Sequence, residues 1–286
     1  MCRQVTFLAL VLSFQFVSAQ QGLPDKFTDD FAFSVQTVDD FFDRFDYERG
    51  TPFFNYVEIN YPGLSLDRKK VMVSLFEARQ TIWEADLVNR FLARFGTNYA
   101  PRLRFSQNNW YAMLHCKVMY QRKRRKLDLI LKAESVIASS GTIGFKWSLV
   151  SAKANFLLRN DTLEYPDTFL TRPVITEEGK FLHPMSHAIN FMNIQDVFRK
   201  GLTRSYFAMK SNSQALDTLE KLINTSQIRF LQVDSVNYQL LQLPGWIVTL
   251  GFYDREDRNS GWLIQQLQPA DERMKREFLK EQLNIR

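Results

Sequence analysis

Cysteine is scarce in this chain: Cys2 and Cys116 are the two among 286 residues. Cys2 lies inside an apolar leader, so a mature monomer has no internal disulfide and must be held by its core. Cys116 reads as a small buried apolar side chain, because a thiol becomes a nucleophile only beside a base or a positive field. Glycine is scarce too, with 11 in all. Neither G-x-G-x-x-G nor G-x-x-x-x-G-K-[ST] occurs, which excludes the common dinucleotide and P-loop phosphate cradles. G-x-S-x-G, H-E-x-x-H and C-x-x-C are also absent, and with them the nucleophile elbow, the zinc helix and the redox pair. Beyond the leader no apolar run approaches the roughly 20 residues of a membrane-spanning helix.

The leader itself is informative. Arg3, an apolar run over 5–17 and the small residues Val17-Ser18-Ala19 have the pattern of a secretory signal over 1–19. The protein is therefore expected to be exported, to the periplasm or the extracellular medium, with the mature chain starting near Gln20. An apolar share of 45%, including 25 Phe, marks a globular chain rather than a disordered one. The formal charge of +6 falls to +5 once Arg3 is removed, a mild excess that attracts anionic surfaces weakly.

Along the mature chain, helices come first. Thr37 followed by Asp40 suggests a capped helix near 37–47, with Phe41, Phe42 and Phe45 on one face. The acids Asp39, Asp40, Asp43 and Asp46 read as first-turn and surface carboxylates that suit a helix dipole. Residues 48–63 read as a loop, given Gly50, Pro52, Pro62 and Gly63. From Ser65 to Gly96 the period is helical, with Trp83, Leu87, Phe91 and Phe95 at four-residue spacing. The phase shifts earlier in the stretch, so either one helix bends or two meet near Gln80. Strands are expected at 102–106, 110–120, 127–137 and 143–154.

The cationic run QRKRRK falls between two strand-like arms in 110–137, where a hairpin must turn. Arg122, Lys123, Arg124, Arg125 and Lys126 read as a solvated turn, with contact to an anionic ligand or surface as the alternative. Nucleic acid is not expected as a partner, because no basic stripe with interleaved aromatic platforms accompanies the cluster.

Residues 157–185 read as a linker. The second half then repeats the first in outline: helical or irregular segments over 186–209, a helix at about 213–224, strands at 227–233, 236–242, 246–253 and 261–267, and a last helix over DERMKREFLKEQL. The expected fold is α+β, with helices packed on strongly curved antiparallel sheets in two similar cone-like halves. The expected domains are 20–156 and 186–286, joined by the linker.

Helices followed by a long hairpin and a strand led by a Trp (FKWSLVSAKA in one half, WLIQQLQPA in the other) resemble the cone-shaped α+β superfamily named after nuclear transport factor two. The resemblance covers roughly 27–155 and, more weakly, 186–268, and it rests on element order. It implies a bent sheet capped by helices, with a pocket at the mouth of each half. Members include enzymes and pure binding modules, so the likeness does not select an activity.

For such a pocket the expected lining is Tyr111, Met113 and His115, with Trp147 at the sheet. Tyr120 has the opposite strand parity from Tyr111 and His115, so it cannot share their face. His115 and Cys116 are adjacent on a strand and point apart, so they form no thiol–imidazole pair. His183 and His187 have i,i+4 spacing, but Pro184 biases His183 out of a helix and no third ligand lies nearby, so no metal site is expected. No cofactor is expected either. Asn160-Asp161-Thr162 and Asn224-Thr225-Ser226 fit the glycosylation sequon. The leading expectation is a secreted, non-catalytic binding or assembly module whose partner is a protein or a small apolar ligand. The alternatives are a hydrolase or isomerase working in a cone pocket and a surface adhesion or structural protein.

Overall fold

The computed structural model describes residues 33–64, 66–97, 99–105, 107–137, 143–157, 182–208 and 213–285. The expected signal over 1–19, most of the expected linker and Asn160 lie outside the described residues. Among the described residues the chain is α+β, with seven α-helices and one six-stranded antiparallel sheet that does not close.

Strands β1 (Trp110–Tyr120), β2 (Lys123–Ile137) and β3 (Ile143–Lys153) form one meander. Strands β4 (Ile228–Leu240), β5 (Trp246–Tyr253) and β6 (Gly261–Pro269) form another. The expected two sheets are in fact one, in the order β3-β2-β1-β4-β5-β6. The reason is the seam between β1 and β4, which pair antiparallel from Trp110 opposite Leu240 to Tyr120 opposite Ile228. Along it Trp110, Ala112 and Leu114 face Leu240, Tyr238 and Val236, all buried, so the seam closes a single core.

Residues 228–240 form one strand where the alternation suggested two. Leu231 and Asp234 are extra residues on β4 opposite β1, and each bulge flips the inward–outward pattern beyond it. Single extra residues also occur at Val150 on β3 and Gln265 on β6. The expected strand over 102–106 is absent from the described residues there, which form a connecting segment. Its backbone is satisfied by side chains instead. Asp46 Oδ1 accepts the Leu103 N–H at 3.2 Å, and the Gln242 amide brackets Arg104 N and O at 3.1 and 2.9 Å. Arg68 donates to the carbonyls of Thr97, Ala100 and Pro101 just before it. Burial pushes the Asp46 carboxyl up to about 6, against the pull of the Leu103 N–H and Arg68.

The helices follow their capping signals. Helix α1 (Val38–Asp46) starts at Thr37, whose side chain accepts the Asp40 N–H at 3.1 Å, and it buries Phe41, Phe42 and Phe45. Helix α2 (Pro52–Asn60) replaces the loop expected there. Pro52 is preset for a first turn, and Asp43 of α1 accepts the Phe53 N–H at 3.1 Å, so this helix is capped from outside its own sequence. Helices α3 (Arg68–Ser74) and α4 (Ala85–Phe95) are separate. Between them Leu75 and Glu77 hydrogen-bond to Ile264 of β6, with Ile264 N donating to Leu75 O at 2.7 Å and Glu77 N to Ile264 O at 3.0 Å. The Glu77 carboxylate then accepts the N–H groups of Arg79, Gln80 and Thr81, which ends any continuous helix. Helices α5 (Ile194–Lys200), α6 (Gln214–Asn224) and α7 (Glu272–Glu281) complete the set.

One core runs from Val35 to Leu267 and takes in the helix-facing side of both meanders. Aromatic rings fill its centre: Trp110 lies edge-on to Trp147 at 5.0 Å, and Tyr238 edge-on to Trp262 at 4.7 Å. Such pairs add about 1 kcal/mol each beyond their buried area. Among the described residues the opposite face of the sheet is covered at one end, where Tyr111, Ile130, Val150 and Ile247 pack with Met274, Phe278 and Leu279 of α7.

Candidate functional site

The uncovered part of that face is centred on His115. The β1–β2 register sets Asp128 directly across from it, and the β1–β4 register places Ser235 on its other side. Asp128 Oδ1 lies 2.8 Å from His115 Nδ1, and Asn237 Oδ1 lies 3.1 Å from His115 Nε2. The Asn237 amide nitrogen donates to the Leu250 carbonyl at 3.3 Å and to Gln265 Oε1 at 3.1 Å. A backbone carbonyl can only accept, so the amide orientation is fixed and its oxygen faces the imidazole. Both ring nitrogens of His115 therefore meet acceptors, an arrangement that favours the protonated ring. The hydrogen bond to Asp128 raises the His115 pKa, against burial, which lowers it. Each ring nitrogen is already engaged by an acceptor, so neither is turned toward a substrate as a base.

The sheet splits beside this network. Strand β4 pairs with β5 through Asn237, Tyr238, Gln239 and Leu240 alone, whereas it pairs with β1 down to Ile228. Among the described residues, nothing pairs with the outer edge of β4 from Ile228 to Val236. A groove of about 670 Å³ occupies the split. The run from Phe230 to Asn237 forms one wall and Gly251, Phe252, Tyr253, Trp262 and Gln265 the other, with Asn190, Met192 and Gln195 between them. Met192 is 67% exposed and Phe252 45%, so two apolar side chains stand in solvent at its rim.

The residues expected to line one pocket separate. Tyr111, Met113 and His115 share a face, as their parity requires. Tyr111 is buried under the C-terminal helix cluster, with Met113 partly buried against it, and only His115 reaches the open region. Trp147 is fully buried in the main core on the other face. Tyr120 also points to that face, stacked on Phe156 at 4.8 Å. Cys116 is buried, its Sγ 3.7 Å from the Leu114 carbonyl, and burial pushes its thiol pKa up.

The basic run is more strand than turn. Gln121 and Arg122 alone make the reversal, with φ of 49° and 59°, the pairing of a type I′ turn. Lys123, Arg124, Arg125 and Lys126 belong to β2, opposite Tyr120, Met119, Val118 and Lys117, and all are exposed.

His187 is buried and meets Asp39 at 2.8 Å, and His183 caps a 3₁₀ turn by accepting the Met185 N–H at 3.1 Å. Asp40 pairs with Arg44, Asp43 caps α2 and Asp46 holds Arg68 and Leu103, so these acids are structural. No group of His, Cys, Asp or Glu among the described residues has the makings of a metal site. Asn224 ends α6, its amide donating to the Leu202 carbonyl at 2.9 Å. No helix among the described residues is long and apolar enough to cross a membrane.

Sequence reasoning missed Asp128, Asn237 and the groove. Asp128 had a visible signal, a lone acid in the apolar run LDLIL that shares the parity of Ile130. Asn237 had none, because the bulge at Asp234 resets the parity that would have placed it. The family models, the curated proteins and the solved structures give no match to this chain.

Proposed function

We propose that this chain is an exported, non-catalytic binding module that captures an extended polypeptide segment in the split between β4 and β5. One observation carries this reading: the edge of β4 left without a β5 partner lines, from Phe230 to Val236, a groove of about 670 Å³. Strand addition gives affinity through backbone hydrogen bonds and specificity through pockets for alternate side chains. The lining suits that occupant, since Gln80, Asn190, Gln195, Gln232 and Gln265 offer amides while the exposed Met192 and Phe252 offer apolar contact. A hydrolase or isomerase reading is disfavoured because both His115 ring nitrogens are engaged by acceptors of the sheet itself.

Export belongs to the same proposal and is supported by the leader. So does the likeness of the two halves to the cone-shaped superfamily, supported by helices followed by a bulged three-stranded meander in each.

The test is to pan short random linear peptides against the full chain and map a selected binder by hydrogen exchange. Protection of 228–236 and 251–253 is expected. Phe252→Ser and Met192→Ser, both at exposed sites, should each weaken binding about 5-fold, roughly 1 kcal/mol. Protection confined to another surface, or binders that compete with no groove variant, would overturn the reading.

A further inference from the structure

The strand register assembles a cationic surface that extends well beyond the basic run. On β1 the side chains of His115, Lys117 and Met119 share one face, away from the main core. Across β2 their partners are Asp128, Lys126 and Arg124; across β4 they are Ser235, Gln232 and Arg229. The next strand adds Lys153 opposite Asp128. Arg124, Lys126, Lys117, Arg229 and Lys153 thus lie with His115 on a single face of four strands. Two acids accompany them, Asp128 on His115 and Asp234 on Lys117 at 2.9 Å. Among the described residues no acid pairs with Arg122, Lys123, Arg124, Arg125, Lys126 or Arg229. Lys117 and Lys126 stand directly opposite each other, an arrangement that costs energy in a sheet.

We propose that this face binds a sulfated polysaccharide. The cations sit on a rigid lattice, about 5 Å apart across strands and about 7 Å along them, which matches anionic groups strung on an extended chain better than a single small anion. A membrane surface fits less well, because among the described residues no exposed large apolar side chain falls in β1, β4 or the hairpin tip of β2, so the tip has no wedge to insert. Single-stranded nucleic acid fits less well, because base stacking needs aromatic platforms, and Tyr120 and Phe230 belong to the core side. Guanidinium groups suit the sulfate oxygens through paired hydrogen bonds. The face shares Gln232, Asp234 and Ser235 of β4 with the proposed peptide groove, but its cations on β1, β2 and β3 lie outside that groove, and the proposal stands whether or not the groove takes a peptide.

The test uses the full chain and heparin-type oligosaccharides in titrations at several salt concentrations. Binding is expected at physiological salt, with affinity falling steeply as salt rises. The double variant Arg124→Ser/Arg229→Ser should lose about 10-fold or more, whereas Arg273→Ser/Arg276→Ser on the exposed side of α7 removes the same charge and should change affinity less than about 2-fold. Arg124→Lys/Arg229→Lys should recover part of the loss, which separates a charge effect from misfolding. Equal losses in both double variants would overturn the proposal. Tighter binding to duplex DNA, to single-stranded DNA or to phosphatidylserine vesicles than to the sulfated chain would overturn it too.

Discussion

Arg255 donates to Glu77 from 178 positions away, and the pair lies buried where the α3–α4 connection meets the β5–β6 loop. Glu77 has no exposed surface. The guanidinium also donates to Asn259 and lies 4.7 Å over the Tyr253 ring. A carboxylate with this many donors ties an irregular connection to the edge of the sheet.

Burial alone would raise the Glu77 carboxyl, but Arg255 and the N–H groups of Arg79, Gln80 and Thr81 bring it from 4.5 down to about 2. A depressed carboxyl stabilises the fold above its unfolded value and stops doing so as pH falls through its folded value. The Glu77 contribution is therefore intact above about 4.5 and disappears toward pH 2. Glu77→Gln should cost roughly 3 kcal/mol at neutral pH, because it leaves Arg255 buried without its charge partner. Urea midpoints at pH 7 and pH 3 would check this, with a smaller gap between variant and parent at pH 3.

The His115 imidazolium makes the opposite prediction. Its pKa is raised in the folded state by Asp128, so its contribution is complete below the ordinary histidine value near 6.5 and is lost as pH climbs through the raised value. Imidazole resonances followed by NMR should show the elevated midpoint. Asp128→Asn should bring that midpoint back toward or below the ordinary value, and an unchanged midpoint would refute the assigned hydrogen bonds.

Gly261 has φ of +85°, and a Cβ there would meet the Val35 carbonyl oxygen at 1.9 Å. Val35 is the bridge that ties the segment before α1 to the start of β6, through Val35 N to Ser260 O at 3.0 Å and Trp262 N to Val35 O at 2.8 Å. Gly261→Ala adds both left-handed strain and a backbone clash, and should cost at least 2 kcal/mol. Thermal melts, with proteolysis scoring release of the segment around Val35, would measure it.

The Tyr238 hydroxyl is buried with no hydrogen-bond partner among the described residues. Burial raises its pKa well above the ordinary value. Tyr238→Phe should therefore be neutral or stabilising by about 1 kcal/mol, contrary to the usual cost of a core substitution. Denaturant unfolding would decide it, and a loss above about 1 kcal/mol would reveal a partner for the hydroxyl.

Local signals in the sequence carried the elements whose stabilising groups are near neighbours. The Thr37–Asp40 cap, the Ala85–Phe95 stripe and the alternation of β1 depend on residues within a few positions of each other. Helix α2 was hidden because its cap comes from Asp43, and the break after α3 because its cause is Ile264. The single sheet was hidden because two bulges scramble the parity of β4. At the site, Tyr111, Met113 and His115 were legible as sharing one face, but that face was expected to line a pocket with Trp147, which instead falls on the core face because it pairs with Ala133, on the side of Leu129 and Leu131. The hydrogen bonds that raise the His115 pKa became readable once Asp128 and Asn237 were set beside it.

The seam between β1 and β4 also governs how this protein is made. Tyr120 and Ile228, its nearest partners in sequence, lie over a hundred positions apart. During synthesis the first meander emerges and must wait, with one long side of β1 open, until the second has been translated. Such distant pairing slows folding and leaves an unpaired strand exposed to other nascent chains. The two bulges on β4 and the charges of Lys117, Lys126 and Arg229 near this line are features that discourage a wrong partner during that interval.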